Sequence, residues 1–332
     1  MAQRTVVGTA REVGHEPVEA QLERHRVELT GYCYRMLGSA GEAEDAVQET
    51  LMRAWRSFEG FEGRASLRTW LYRIASNVCF NLLRASWRRA LPMDFGGPGE
   101  VDAPLAAPLP ERAWIGPAPD ELVLGVDGDP AQLAQAREWV RLAFIAALQH
   151  LPPRQRAVLV LRDVVRWRAS EVAELLDISV AAVNSALQRA RATLASRDLD
   201  ALRLSDASVD GADRELLARY VDAFERYEID ALTELLHEDA TQSMPPYPLW
   251  LRGRREMARW MLGPGAGCRG SRLVPVGVNG APGFAQYRDG GATPWSIQAL
   301  EVRAGRIAEI TYFLESDGSL FERFGLPARL TA

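Results

Sequence analysis

The spacing of apolar residues changes character along the chain. From about Gln21 to Ala90, and again from Leu133 to about Arg197, apolar side chains recur every three or four positions, as they do in amphipathic helices that share a core. Residues 91–130 lie between these stretches and are rich in proline, glycine and acidic residues. Because such a segment is too long for a loop inside a compact domain, the pattern predicts a linker between two helical domains.

A third pattern begins near Asp213, where helical and alternating segments are mixed. The segment ELLARYVDAFERYEIDALTELL predicts an amphipathic helix or a pair of helices. Strands are predicted for SRLVPVGVNG, GFAQYRDG and PWSIQALEVRAGRIAEITYFL, with RAGR as a hairpin turn, and SLFERFGLP predicts a short final helix. The expected fold is therefore two all-α domains followed by an α+β domain.

These patterns divide the chain into six predicted segments. Their limits are 1–20 for a flexible tail, 21–91 for the first helical domain, 92–132 for the acidic linker, 133–200 for the second helical domain, 201–211 for a short connection and 212–332 for the α+β domain. No stretch approaches the ~20 apolar residues of a membrane span, and the N-terminus lacks the apolar core of a signal peptide. The three cysteines and four histidines are scattered. We therefore expect a cytoplasmic protein without a metal, a cofactor or a membrane partner.

Charge is strongly polarised although the net charge is only −5. Residues 63–93 contain six arginines and no acidic residue, whereas residues 94–129 contain eight acidic residues and a single arginine, Arg112. A basic block of this kind is the electrostatic footprint of a phosphate-binding surface. The first helical domain is therefore a candidate for nucleic-acid binding.

The segment ASEVAELLDISVAAVNSALQRARATL, residues 169–194, predicts two short helices across a tight turn, with Ser179 as the N-cap of the second helix. This arrangement is a helix-turn-helix, whose second helix enters the DNA major groove. Small residues on its outer face permit close approach, amides pair with adenine and guanidinium groups pair with guanine. The candidate DNA contacts are Ala181, Ala182, Asn184, Ser185, Gln188, Arg189 and Arg191. The alternative is a plain helical hairpin with a solvated face.

An earlier helix, AEDAVQETLMRAWRSF at residues 43–58, has two distinct faces. Read at 3.6 residues per turn, its predicted buried face holds Val47, Leu51, Ala54, Trp55 and Phe58. The opposite face holds Asp45, Gln48, Glu49, Met52 and Arg56. From the pattern alone, this polar face is either solvated or a docking surface.

Two motifs carry a family resemblance. LPPRQRAVLVLRDVVRWRASEVAELL, from Leu151, resembles the start of region 4 of sigma-70 family factors. AEDAVQETLMRAWRSFEGFEGRASLRTWLYRIASNVCFNLLR, from Ala43, resembles region 2 of the extracytoplasmic-function (ECF) group of that family. The resemblance implies a sigma factor that binds core RNA polymerase, including its β subunit, and directs promoter-specific transcription initiation. It also implies that the polar face of the region 2 helix docks on the clamp helices of the β′ subunit, through Asp45, Gln48, Glu49, Arg53 and Arg56.

The resemblance further implies that the segment after this helix handles the −10 promoter element, while the helix-turn-helix reads the −35 element. Holding unstacked bases requires aromatic, polar and cationic side chains. The candidates are Arg64, Ser66, Trp70, Arg73 and Asn77, with Arg84, Arg88 and Arg89 expected to meet phosphates. Trp70 is equally consistent with a core position. The acidic linker is either a solvated tether or, as the family implies, a segment that threads the polymerase channel.

The C-terminal segment resembles the SnoaL-like α+β cone. We expect this domain to pack on the sigma portion and regulate it in cis, and we expect the linker residues Trp114 and Ile115 to dock on an apolar surface, for which the cone is one candidate. SnoaL-like cones include enzymes, so the alternative is a helix-turn-helix regulator fused to a ligand-binding or enzymatic domain. Its acid/base candidates are His237, Asp239, Tyr247, Asp289 and Tyr312. Our interpretation is a protein that is not an enzyme, with a small-molecule ligand or a separate anti-sigma protein left as open partners.

Overall fold

The computed structural model describes residues 17–63, 65–84, 88–125, 129–196 and 211–331. Most of the predicted N-terminal tail, Arg64 and the connection at 197–210 therefore lie outside the described residues.

The first helical bundle contains α1 (Val18–Glu23), α2 (Arg26–Leu37), α3 (Ala40–Ser57) and α4 (Leu67–Arg84). Gly38 adopts a left-handed φ of 72° and ends α2, and the Ser39 side chain accepts a hydrogen bond from the Glu42 amide to begin α3. The core is formed by fully buried side chains of α2 and α4, among them Leu29, Tyr32 and Leu71. The glycine that ends α2, the serine that caps α3 and the apolar faces of the helices thus all favour the same bundle.

Trp55 departs from the predicted buried face of α3. Val47, Leu51 and Ala54 are buried as expected, but Trp55 is 57% exposed and donates its indole N–H to Glu19 Oε1 at 2.8 Å. At 3.6 residues per turn Trp55 lies about 80° around the helix from Val47, at the edge of the stripe. A side chain at that angle is left uncovered by the neighbouring helices.

The predicted linker packs on the surfaces of the other domains. Ala90 forms a parallel bridge with Trp114, and the Trp114 ring lies 5.0 Å from that of Phe95. Trp114 and Ile115 are 4% and 0% exposed, so both dock as expected. The linker around Trp114 therefore packs on the end of the first bundle. There the Gly38 carbonyl accepts a hydrogen bond from the Gly116 amide.

The second helical bundle contains α6 (Pro130–Glu138), α7 (Leu142–Gln149), α8 (Pro153–Leu159), α9 (Ala169–Leu176) and α10 (Val180–Ala195), preceded by the short α5 (Asp120–Val123). A π-helical turn, Val160–Val164, extends α8. Asp177 ends α9 with a left-handed φ of 53°, and Ser179 caps α10 by accepting from the Ala182 amide at 3.1 Å. The predicted helix-turn-helix is present as α9 and α10.

The C-terminal domain, called the cone below, combines four helices with one six-stranded sheet. The helices are α11 (Gly211–Arg226), α12 (Ile229–Leu235), α13 (Arg254–Leu262) and α14 (Ser319–Arg323). The strands are β1 (Leu236–Ser243), β2 (Trp250–Arg252), β3 (Arg272–Val278), β4 (Ala281–Arg288), β5 (Thr293–Arg303) and β6 (Arg306–Leu314), in the order β2-β1-β6-β5-β4-β3. Only the β1–β6 pairing is parallel. The predicted RAGR turn joins β5 to β6, and Asn279-Gly280 joins β3 to β4, with positive φ at both residues as such hairpins require.

The two faces of this sheet have different partners. Helices α11 to α13 cover one face and enclose a core that includes Phe224, Leu300 and Ile310. The other face belongs to the hydrophobic cluster of the two helical bundles, to which it contributes Ile297, Phe313 and their neighbours. The cone is therefore packed directly on the helical domains.

Candidate functional site

The predicted docking face of α3 is open to solvent. Asp45, Gln48, Arg53 and Arg56 are exposed, and Glu49 is partly exposed and accepts from Arg53 Nε at 2.6 Å. The final helix of the cone, α14, approaches the start of this face, where Arg323 Nε lies 3.1 Å from Glu44 Oε2. The five candidates share one surface, so a partner can meet them together.

The outer face of α10 is also open. Its candidates all point to solvent: Ala181, Ala182, Asn184, Ser185, Gln188, Arg189 and Arg191. On the opposite side Val183, Leu187 and Leu194 are buried, whereas Val180, predicted as part of that stripe, is 44% exposed. Arg191 makes two bonds to the Asp163 carboxylate, at 2.7 and 3.0 Å, and this pairing raises the pKa of the guanidinium.

The candidates for the −10 element are distributed less simply. Ser66 accepts from the Thr69 amide at 3.1 Å and so begins α4, while Asn77 and Arg84 are exposed on that helix. Trp70 is half-buried, with its ring 4.9 Å from Phe61. Arg64 lies outside the described residues.

Three of the arginines predicted to contact the −10 region have partners elsewhere in the protein. Arg73 Nη2 donates to the Glu174 carbonyl of α9 at 3.0 Å, and Arg88 Nη1 donates to His150 Nδ1 at 2.9 Å. Arg89 is only 4% exposed and donates to the carbonyls of Glu111 and Trp114 at 2.9 and 2.7 Å. Arg89 also pairs with Glu42 at 2.5 Å.

In this conformation Arg89 is therefore not accessible to a phosphate, and its contact with DNA stays a prediction. The linker folds back on the first bundle and uses the guanidinium as its anchor, because five fixed donors can bind two carbonyls and a carboxylate at once. For Arg73 and Arg88, which stay exposed, the contacts with α9 and with the end of α7 compete with any contact to DNA.

The two helical bundles meet through an aromatic contact that the sequence did not indicate. The rings of Tyr72 on α4 and Trp167, just before α9, lie 5.0 Å apart. The Arg68 guanidinium lies over both rings, at 5.3 and 5.4 Å from their centroids, and pairs with Glu28 at 2.7 Å. Such cation–π contacts stabilise an interface most where water is excluded, and Trp167 is only 7% exposed.

Two buried arginines reinforce this junction. Arg156, part of the LPPRQR motif, donates to Gln149 Oε1 at 2.7 Å and to the Met36 carbonyl of the first bundle. Arg35 donates from α2 to the Trp139 carbonyl at 2.9 Å. Burial lowers the pKa of each guanidinium to about 10, so both remain charged at neutral pH.

The tip of the β3–β4 hairpin joins the cone to three other segments. The Asn279 side chain is 1% exposed and accepts the Ala118 amide at 2.9 Å, while its own amide group donates to the Tyr34 hydroxyl at 2.6 Å and to the Val140 carbonyl at 2.8 Å. The Asn279 main-chain N–H also donates to the Ala118 carbonyl at 3.0 Å. Nothing in the sequence indicated this role, since Asn279 lies within the segment SRLVPVGVNG, for which a strand is predicted.

The acid/base candidates of the cone do not converge. His237 and Asp239 line an open cavity of about 440 Å³ at the end of the sheet, together with Met93, Thr241, Trp250, Arg252, Arg303, Ala308 and Glu309. Asp289 instead accepts from the Thr293 hydroxyl at 2.8 Å in a turn, and Tyr247 lies in the loop between β1 and β2. Tyr312 is inside the cone, 3.5 Å from the Tyr220 hydroxyl, and burial raises its pKa.

Comparison with known domain families assigns three parts of the chain. Residues 22–89 match sigma-70 region 2, residues 141–194 match sigma-70 region 4 and residues 217–310 match a SnoaL-like domain. The chain is 44% identical over 329 residues to the ECF RNA polymerase sigma factor SigG of Mycobacterium tuberculosis, covering 96% of this chain and 88% of SigG. The chain belongs to the ECF group of sigma-70 family factors.

Other relatives of this sigma factor have the same organisation. The ECF RNA polymerase sigma factor SigJ of M. tuberculosis is 28% identical over 88% of this chain and 89% of its own length. The crystal structure of SigJ matches with a TM-score of 0.58 at 26% identity, covering 93% of this chain and 99% of SigJ. The predicted fold, region 2 and region 4 helices followed by a SnoaL-like α+β domain, is therefore confirmed. Among the described residues, no helix is both long enough and apolar enough to cross a membrane.

Proposed function

We propose that the described conformation is a closed form of this sigma factor, which the cone restrains in cis and which must open to direct transcription. In this account core RNA polymerase binds the open face of α3, and promoter DNA binds α10 and the exposed side of α4. The proposed domain limits remain 21–91, 133–200 and 212–332, with the segments between them as linkers.

The contact between region 2 and region 4 carries the proposal. The −10 and −35 elements lie roughly 25 base pairs apart, or about 85 Å at 3.4 Å per base pair. Tyr72 and Trp167, one from each region, have ring centroids only 5.0 Å apart. Domains in direct contact cannot reach two DNA elements at that separation, so the regions have to part before both elements are bound.

The arginines expected to contact the −10 element support the same conclusion, because they are bonded to other parts of the protein. Arg73 is bonded to α9 of region 4, Arg88 to His150 at the end of α7, and Arg89 to the linker. Opening the chain would free all three, and only then can Arg89 reach a phosphate. A closed form of this kind suppresses the −10 surface while leaving the chain folded.

Contacts made by the cone stabilise the closed form. Its sheet shares one hydrophobic cluster with both regions, and Asn279 bonds to region 2, to the linker and to the turn before region 4. Removing a partner from buried polar groups such as these costs about 1–3 kcal/mol. The hairpin tip, Asn279-Gly280, is called the latch below. Loss of its hydrogen bonds would shift the equilibrium between the closed and open forms towards the open form.

A regulatory cone, rather than an enzyme, is supported by the state of its interior. The Tyr220 hydroxyl donates to Gln298 at 2.8 Å, Gln298 donates to Gln286 at 3.1 Å, and Gln286 donates to Ser271 at 2.9 Å. The cavity beside Tyr220 measures about 30 Å³, room for roughly one water molecule. Polar groups already paired with one another around so small a space leave little for a substrate.

Run-off transcription with core polymerase tests the proposal. A chain cut near Ser205, which removes the cone, should give more transcript from the same promoter than the full chain, with core affinity retained. Equal transcription and equal core affinity would show that the cone does not regulate in cis. The alternative of a ligand-binding or enzymatic SnoaL-like domain would then be favoured.

A further inference from the structure

A group of carboxylates lies where the cone meets the start of region 4. Glu301 on β5 and Glu309 on β6 are direct cross-strand partners, so their side chains stand side by side on one face of the sheet. It is the face that carries Ala299 and Phe313 into the shared hydrophobic cluster. Like charges directly opposite each other destabilise a sheet, and here they also face a docked domain.

The docked domain offers this group one buried cation. Arg141, between α6 and α7, donates from Nη1 to Glu301 Oε2 at 2.8 Å, and its Nε lies 3.6 Å from Glu138 Oε1. The Arg141 side chain is 11% exposed, against 30% for Glu138 and 23% for Glu301. Glu138 and Glu301 thus share the buried guanidinium of Arg141, and Glu309 stands beside Glu301 on the next strand.

Other charged groups around the cluster offset the excess of carboxylates only in part. Arg303, exposed at the end of β5, attracts both Glu301 and Glu309, and the Thr311 hydroxyl lies 3.4 Å from Glu309 Oε1. The cavity beside Glu309 is lined by one more acid, by two arginines and by a histidine: Asp239, Arg252, Arg303 and His237. On the linker side, Asp120 lies near Arg137 and Arg141 and accepts the Gly280 amide at 2.7 Å.

Burial shifts the protonation of these acids in one direction. It raises the pKa of Glu301 and of Glu138, despite the attraction of Arg141. Burial and the neighbouring Glu301 together raise the pKa of Glu309 to about 7, against 4.5 for an unperturbed glutamate. Undocking exposes the cluster to water and returns these pKa values towards normal, so the docked form holds more protons than the undocked form.

We propose that docking of the cone takes up protons at the Glu138–Glu301–Glu309 cluster, so that acidification holds this sigma factor closed. The inference rests on the cis regulation proposed above and adds the signal to which it responds. The sign follows from linkage: docking is strongest at low pH, where the acids are protonated, and weakens as the pH rises to the docked pKa of Glu309. It changes little above that point.

Hydrogen exchange of the full chain without polymerase measures this linkage. The amides of Ala118, Asn279 and Gly280 all donate across the interface, so their protection reports docking. After correction for intrinsic exchange rates, we expect protection at the hairpin tip to fall between pH 5.5 and 7.5, by at most about twentyfold, the limit reached if the whole shift of Glu309 is lost on undocking. Peptides from the core of region 2 serve as the folding control and should not change.

Two variants separate this proposal from the one on which it rests. Glu309→Gln mimics the protonated acid and should keep the tip protected at pH 7.5, whereas Asp222→Asn, an exposed change on α11, should behave like the natural chain. Should Glu309→Gln disturb folding of the cone, Glu138→Gln, which lies outside the cone and leaves the Arg141–Glu301 pair in place, should likewise raise protection at pH 7.5. High protection at both pH values in the natural chain would overturn the proton linkage and leave cis regulation standing. An unprotected tip at both pH values would overturn both.

Discussion

Two surfaces of this sigma factor are expected to contact DNA, and the closed form treats them differently. On α10 the seven candidate side chains face solvent, and the one paired residue, Arg191, is held by Asp163 of its own domain. In region 2, by contrast, Arg73, Arg88 and Arg89 are bonded to region 4 or to the linker. In the proposed closed form, reading of the −35 element remains possible, whereas these three arginines are not available to the −10 element. We propose that control in this chain falls on region 2.

The largest effect is expected from the residue that joins the two regions. Trp167→Ala removes a 7%-exposed aromatic side chain from the contact with Tyr72 and Arg68, and such truncations cost about 3–5 kcal/mol. Opening should become easier, and run-off transcription by the full chain should rise. Leu262→Ala is the control, since Leu262 is 66% exposed at the end of α13, away from this contact and from the docking face of α3. If transcription is unchanged by Trp167→Ala in a folded protein, the two DNA surfaces do not differ in the way described.

A smaller effect is expected at the latch. Asn279→Gly keeps the left-handed backbone of the turn, where φ is 55°, but removes the amide that bonds to Tyr34, Ala118 and Val140. We expect docking to weaken by about 1–3 kcal/mol. Hydrogen exchange at the Gly280 amide, which donates to Asp120 and not to the deleted side chain, measures the loss. Asn81→Gly on the exposed side of α4 controls for the change of residue type. Unaltered protection would show that the hydrophobic contact alone holds the cone.

The open surface provides the most selective prediction. Arg189→Ala should reduce discrimination at one base pair of the −35 element, by about 1–3 kcal/mol if its contact is bidentate. Because α10 is already exposed, this loss should be the same in the full chain and in the chain cut near Ser205.

Arg88→Ala should weaken binding to all promoters about equally and flatten the salt dependence of binding, and it should do so only in the open chain. Binding measured on a set of single-base promoter variants distinguishes the two patterns, and a uniform loss for Arg189→Ala would make it a phosphate contact.

Local features of this chain could be predicted from its sequence because each depends on residues close together. The cap at Ser179, the RAGR turn and the strand alternation are examples. Arg89 shows the limit, since an arginine after a basic helix has the same local signature whether it faces phosphate or a folded-back linker. The partner that decides its role is Trp114, 25 residues away along the chain. The same holds for Asn279, whose bonds to Tyr34 and Val140 depend on how three domains dock.

The separation of region 2 from region 4 tests the central claim most directly. Spectroscopic labels on cysteines placed at Ser57, at the end of α3, and Ser196, at the end of α10, would report it, because both positions are exposed. Cys33 and Cys79 are buried and Cys268 can be replaced by serine, so labelling stays selective. We predict that this distance lengthens by tens of ångströms when core polymerase and promoter are added to the free chain, as the roughly 85 Å between the two elements requires. A distance that does not change on binding would contradict the closed form.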